Sequence, residues 1–120
     1  MKLVYTAHSK HFFYFREHIS RFVLENNAVP LNPFMLFHYF MLDTVERDSV
    51  RNANNTIVKK SDEIWVFGPV SDGVLAEIKL AKEMKKPVKY FAVENSRDII
   101  EIKKEDVKFE TGLEKFSDEL

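Results

Sequence analysis

The 120-residue chain contains no cysteine. That absence excludes a disulfide scaffold, a thiolate zinc site and a thiol nucleophile. Charge of one sign is also missing, because 18 basic residues stand against 19 acidic ones, for a net charge of −1. Without a basic excess there is no electrostatic case for a nucleic-acid polymer or a membrane surface as partner. The longest apolar stretch, Phe34 to Leu42, is interrupted by His38 and falls well short of the ~20 residues of a membrane span. The start of the chain lacks a basic segment followed by an apolar one, so no signal peptide is expected and the location expected is cytoplasmic. No Walker loop and no GxGxxG occur. The four histidines show no zinc-ligand spacing with acidic partners, and neither a metal nor a cofactor is implied. Only three glycines are present, Gly68, Gly73 and Gly112, so each marks a place where the backbone has a need.

What is present is an ordinary globular composition, 45% hydrophobic and 31% charged, of a length that suits one domain. Phe is abundant at 11 residues, which predicts an aromatic core or subunit interface. No repeat or linker divides the chain, and 1–120 reads as a single domain with a peripheral tail beyond about residue 103.

Leu3 to Ala7 reads as a buried strand. From His11 to Asn27, Phe12, Phe15, Ile19, Phe22 and Val23 recur at helical spacing. Ala28 to Leu31 forms a second strand, placed at an edge by Pro30. A short helix is expected over Phe34 to Leu42. A polar helix follows over Val45 to Lys60, with a thin stripe of Val45, Ser49, Ala53 and Ile57. Glu63 to Phe67 is a third strand ended by Gly68-Pro69. Ser71 to Lys86 is a helix with Val74, Ile78 and Ala81 on one face, and Val88 to Val93 is the next strand. Ile99 to Ile102 suits either a strand or a helix end. Strands alternating with helices predict an α/β fold, a flavodoxin-like or Rossmann-like three-layer sandwich. Its parallel sheet has four or five strands in the order 2-1-3-4(-5). In that order the carboxyl ends of the first and third strands frame a ligand crevice.

The crevice is lined by Tyr5 to Ser9 on one side and Gly68 to Gly73 on the other. Ser71 or Asp72 caps a helix, leaving backbone N–H groups for an acceptor, and Gly73 permits close approach of a ligand. Glu77, about one and a half turns in, can reach back to the helix start. There it either serves as nucleophile or ribose ligand, or simply favours the helix dipole. Tyr5 can stack on or bond to a sugar or base. Ser9 and the following helix start, with Lys10 and His11, can take a phosphate. The blander reading is a packing Tyr and a Ser cap. Phe34, Phe37, Tyr39 and Phe40 suit a core cover or a subunit contact, and the Lys79, Lys82, Lys85, Lys86 series suits a solvated helix face.

Taken together, the Tyr-x-x-x-Ser strand and the phrases Asp62-Glu63-Ile64-Trp65-Val66-Phe67-Gly68, Ser71-Asp72-Gly73, Glu77-Ile78…Ala81 and Lys85-Lys86-Pro87-Val88 carry a resemblance. Over roughly residues 1 to 93 the chain resembles the nucleoside 2-deoxyribosyltransferase superfamily. That superfamily includes the deoxynucleoside 5′-monophosphate N-glycosidases and small uncharacterised relatives. The resemblance implies a small-molecule nucleoside or nucleotide as ligand, with cleavage or transfer at its N-glycosidic bond, and Glu77 as the nucleophile. It also implies that Tyr5 orients Glu77 or the sugar, that Ser71 and the amides near Gly73 hold the sugar or its phosphate, and that Ser9 sits near a 5′-phosphate. Asn95 and Ser96 would complete a neighbouring subunit's site in a homo-oligomer, a dimer or larger.

Two positions depart from the pattern. The Asp that protonates the leaving base in those enzymes falls on Asn54, with Asn55 beside it, and an amide cannot act as a general acid. Asp48 or Asp43 then substitutes, or the leaving group needs no proton, or the chain is a non-catalytic nucleotide- or nucleotide-sugar-binding module using the same crevice. The other departure is His8, which either narrows the pocket or supplies the missing proton.

Overall fold

In the computed structural model, residues 1–37, 44–95 and 97–120 are described. The strands are β1 (Lys2–Ala7), β2 (Ala28–Leu31), β3 (Glu63–Phe67), β4 (Val88–Glu94) and β5 (Asp98–Ile102). The helices are α1 (Arg16–Glu25), α2 (Pro33–Leu36, a single turn), α3 (Arg47–Lys60) and α4 (Asp72–Glu83). The fold is α/β, built on one sheet of order β2-β1-β3-β4-β5. β2, β1, β3 and β4 are parallel, and β2 with its Pro30 lies at the edge.

β5 departs from the expectation of an all-parallel sheet, because it pairs antiparallel with β4. Only residues 95–97 join the two strands. A parallel return needs a crossover of roughly a dozen residues or more, so a link this short can only make a hairpin. Asn95, at φ 50°, supplies its left-handed turn residue.

Alternation along the strands gives the sheet two unlike faces. Val4, Trp65, Phe67 and Phe91 point to one face and pack against Ile19 and Val23 of α1, with Phe22 beside them. Phe67 and Phe91 stack at 4.9 Å, and Phe22 sets its edge against Phe91 at 5.2 Å. Tyr5, Ala7, Ile64, Val66 and Tyr90 point to the other face, against Val58 of α3 and Val74, Ile78 and Ala81 of α4. On α3 the fully buried side chain is Val58. Of the expected stripe, Ile57 is partly buried, while Val45 and Ser49 are exposed.

The first helical segment is divided. A 3₁₀ stretch, Lys10–Phe15, capped by Ser9, precedes α1. The segment after β5 is not peripheral. Val107, Phe109, Phe116 and Leu120 pack against the α3/α4 core. Val70 N–H donates to the Lys108 carbonyl at 2.9 Å and Glu110 N–H to the Val70 carbonyl at 2.9 Å. Lys82 then holds the carbonyls of Glu119 and Leu120, each at 3.0 Å. Among the described residues no helix is long and apolar enough to cross a membrane. The expected helix over Phe34 to Leu42 begins as α2, and the rest of it, with His38, Tyr39, Phe40 and Asp43, lies outside the described residues.

Candidate active site

The topology brings the ends of β1 and β3 side by side, with Ala7 opposite Val66. Both strands turn out of the sheet at this edge, and α2, α3, α4 and the segment around Glu110 close in over it. The result is a cavity of about 620 Å³. That volume lies within the ~300–1,000 Å³ typical of small-molecule sites.

Ser71 starts one wall. Its hydroxyl accepts from Val74 N–H at 3.3 Å and caps α4. Gly73 faces open space, with no atom within 4 Å of where a Cβ would stand, so a ligand can lie against this backbone. Asp72 and Gly73 both line the cavity. One turn further on, Glu77 accepts a hydrogen bond from the Tyr5 hydroxyl, 72 residues away in sequence. Tyr5 is fully buried in β1, while Glu77 keeps partial access, onto the cavity it lines. Burial pushes the Glu77 carboxyl up to about 7, against the lowering effect of the Tyr5 hydrogen bond. Burial, reinforced by the neighbouring carboxylate and its hydrogen bond, pushes the Tyr5 hydroxyl well above its ordinary value. Tyr5 therefore stays a hydrogen-bond donor at any physiological pH.

The opposite wall follows β1. His8 is buried and stacks on Phe34 at 4.9 Å. Its Nδ1–H donates to the Ser9 carbonyl at 2.9 Å, and its Nε2 accepts from the Asn32 amide at 3.0 Å. The Asn32 orientation is fixed because its Oδ1 accepts from Phe34 N–H at 2.9 Å. Burial lowers the His8 pKa, so His8 is neutral at pH 7, its one N–H is spent on a carbonyl, and it narrows the pocket instead of supplying a proton. The Ser9 hydroxyl donates to Glu110 Oε2 at 2.7 Å, and His11 Nδ1 donates to the same oxygen at 2.9 Å. Burial alone would raise the Glu110 pKa, but the hydrogen bonds from Ser9 and His11 overcome it and hold the carboxyl below the usual range.

Asn54 lines the cavity, and its Oδ1 is buried with no hydrogen-bond partner among the described residues. Asp48 lies exposed on α3 and does not line the cavity, so it is not placed to replace Asn54 as an acid.

Gly68 does not face the cavity. Its φ is +76°, and a Cβ there would stand 2.4 Å from the Phe12 ring. Its need is a left-handed backbone beneath a packed aromatic side chain, not contact with a ligand. Asn95 sits exposed in the β4–β5 turn, its amide 3.5 Å from Asp98 Oδ2, and does not line the cavity. Ser96 lies outside the described residues. The start of the Asp62-to-Gly68 phrase is also structural. Asp62 Oδ2 accepts from Leu3 N–H at 2.7 Å, and Glu63 holds Lys2 at 2.7 Å and the Trp65 indole at 2.9 Å, all at the opposite edge of the sheet.

Arg47, Val50 and Arg51 of α3, Phe34, Phe37 and Glu110 also line the cavity, and the sequence reading does not place them there. Arg47, Val50, Arg51 and Asn54 share one helix face at i, i+3, i+4 and i+7, a spacing visible in the sequence. Phe34 and Phe37 line the cavity instead of covering the core.

Fold and site together define an α/β protein with a ligand cavity at the carboxyl edge of its parallel strands and a buried carboxylic acid within it. The chain belongs to the family described as Domain of unknown function (DUF7768), whose sequence profile matches residues 5–91. The matched segment includes Tyr5, Asn54 and Glu77 and stops short of Glu110. A search among curated proteins found no match.

Proposed function

We propose that the chain binds a nucleoside or nucleotide in this cavity and cleaves or transfers at its N-glycosidic bond, with Glu77 as nucleophile. The reading extends to a flavodoxin-like sandwich of the nucleoside 2-deoxyribosyltransferase type. The observation that supports it best is the Tyr5–Glu77 hydrogen bond at the cavity wall, which joins two residues that the sequence resemblance pairs in function. In the reaction, a Glu77 oxygen bonds to the anomeric carbon as the bond from that carbon to the base nitrogen breaks. The electron pair leaves with the base. Water or a second base, its proton passing to the base anion that left, then displaces Glu77 and restores the carboxylate. Tyr5 holds the carboxylate through a hydrogen bond without giving up its own proton.

The base must depart without help from a strong acid, because Asn54 has no proton of that kind, His8 is neutral and its one N–H is engaged. Bases that are good leaving groups are therefore the preferred substrates. The same feature favours a second reading, in which the cavity binds nucleotides without turnover, with Asn54 as a hydrogen-bonding group.

The test incubates the protein with ribo- and deoxyribonucleosides and their 5′-monophosphates and measures free base by chromatography. Release that vanishes in Glu77→Gln and persists, reduced, in Tyr5→Phe is the expected result. Saturable binding with no base released selects the second reading. No binding and no release refute both. Size-exclusion chromatography of the same sample tests the homo-oligomer, in which the exposed Asn95 turn would meet a neighbour.

A further inference from the structure

The basic side chains around the cavity divide into engaged and unengaged groups. His11 is held by Glu110, and Lys10 adds its positive charge near the same carboxylate. Ser9 also gives its hydroxyl to Glu110. The anion position at the start of the 3₁₀ segment is therefore already filled, by the chain's own side chain. A phosphate placed there meets a carboxylate.

Arg47 and Arg51 line the cavity from α3, exposed to it, and their guanidinium groups have neither an ion pair nor a hydrogen bond among the described residues. Their positions are locally unfavourable. Arg47 is the first residue of the helix, where the dipole disfavours a cation, and the two lie at i, i+4, where like charges repel. Glu46, at the cap, gives the helix no side-chain hydrogen bond. An anion bound between the two guanidinium groups relieves both penalties. On the same face stands Asn54, whose buried Oδ1 lacks a donor.

We propose that Arg47 and Arg51 form the phosphate subsite of this cavity, and that the Asn54 side chain, on the same helix face, meets the same ligand. The ligand is then a nucleotide gripped by α3 at its phosphate, not at the loop after β1. A planar guanidinium suits the task because it meets two phosphate oxygens at once. The proposal rests on the nucleotide reading and sharpens its substrate class.

Calorimetric titrations with 2′-deoxynucleosides, their 5′-monophosphates and inorganic pyrophosphate decide it. Wild-type protein is expected to bind a monophosphate at least ~10-fold more tightly than its nucleoside, with pyrophosphate competing. Arg47→Gln/Arg51→Gln loses that advantage at a melting temperature no lower than that of wild type, and Ser9→Ala keeps it. The inference is overturned if the double variant binds like wild type while Glu110→Gln tightens monophosphate binding ~10-fold, which places the phosphate at Ser9. It is equally overturned if nucleosides bind and lose their base through Glu77 while the phosphate adds nothing, a result that spares the proposed function. Arginine-dependent binding of monophosphates and pyrophosphate without any base release upholds the subsite and ends the glycosidic reading. If none of the three probes binds, both fall.

Discussion

The two faces of the sheet are made by the same strands and do different work. On the α1 face, Trp65, Phe67, Phe91 and Phe22 interlock ring against ring. On the α3/α4 face the strands present Tyr5, Ala7, Ile64, Val66 and Tyr90, two separate tyrosines among small or branched side chains. Ala7 and Val66 are neighbours across β1 and β3, where bulk would fill the crevice. Interlocked aromatic rings thus fill one face, and the other, besides an aliphatic core of its own, holds a buried acid, an unpartnered amide oxygen and a cavity. If this division is real, substitutions on the two faces should have different signatures.

The largest effect belongs to the aromatic face. Phe67→Ala removes a fully buried ring that stacks on Phe91. Its expected cost is about 3–5 kcal/mol, read by denaturant unfolding at pH 7. Ligand affinity per folded molecule stays unchanged, because Phe67 points away from the cavity. A change in affinity larger than the loss of folded protein explains would break the division.

Next comes Glu77→Gln, with the opposite sign. The Glu77 pKa is raised in the folded state, to about 7 from 4.5. Its contribution to stability is therefore complete below about pH 4.5 and is lost as pH rises through 7. The rise corresponds to about 3 kcal/mol. Gln keeps an oxygen for Tyr5 and removes the charge, so Glu77→Gln should be more stable than wild type at pH 8 and nearly equal to it at pH 4. His8 acts in reverse. Its lowered pKa gives stability that is present above 6.5 and lost as pH falls. Without Glu77, stability should rise steadily from pH 5 to pH 7. Melting curves across this range, for both proteins, provide the check. A variant less stable than wild type at pH 8 would mean that the ionised carboxylate is stabilised by the cavity.

Gly68→Ala should cost about 1–3 kcal/mol, from its positive φ and from the Phe12 ring that must move. Gly73→Ala, with open space at its Cβ, should leave the melting temperature almost unchanged yet weaken ligand binding. The pair separates a glycine the fold needs from one the site needs, two roles the sequence presents alike.

Much of this arrangement is legible in the sequence, for identifiable reasons. Alternating strand and helix patterns fix the order of the parallel strands, since connections are short and crossovers right-handed. Ser71 announces the start of α4. The antiparallel β5 escapes the sequence reading, which leaves Ile99 to Ile102 as a strand or a helix end; the three-residue link that forbids a crossover emerges only with the bounds of β4 and β5. The Tyr5–Glu77 bond is not legible either. It joins residues 72 apart, and only the resemblance pairs them. The arginine face of α3 is hidden when the search is for apolar stripes, although its spacing is plainly helical. Glu110 is least legible, since its place depends on a single bridge between Val70 and Phe109 in a segment without periodicity. The Trp65 phrase, conspicuous in the sequence, mainly holds β3 to β1 and seats the aromatic face.

The smallest expected effect compares two orphaned oxygens, one for each face. Thr6 Oγ1 and Asn54 Oδ1 are both buried without a hydrogen-bond partner among the described residues. Thr6 follows Tyr5 in β1 and so points to the α1 face, where it is fully buried. No described residue gives it a partner there, and its hydroxyl carries a desolvation cost. Thr6→Val keeps the branched shape and should stabilise the protein by about 1 kcal/mol. A gain of that size on the dry face is what the division predicts. Asn54→Leu should also raise the melting temperature of the free protein, but it should abolish the further rise that a bound nucleotide gives to wild type. If Thr6→Val instead lowers the melting temperature, the aromatic face hides a polar partner for Thr6 and is less dry than its side chains suggest.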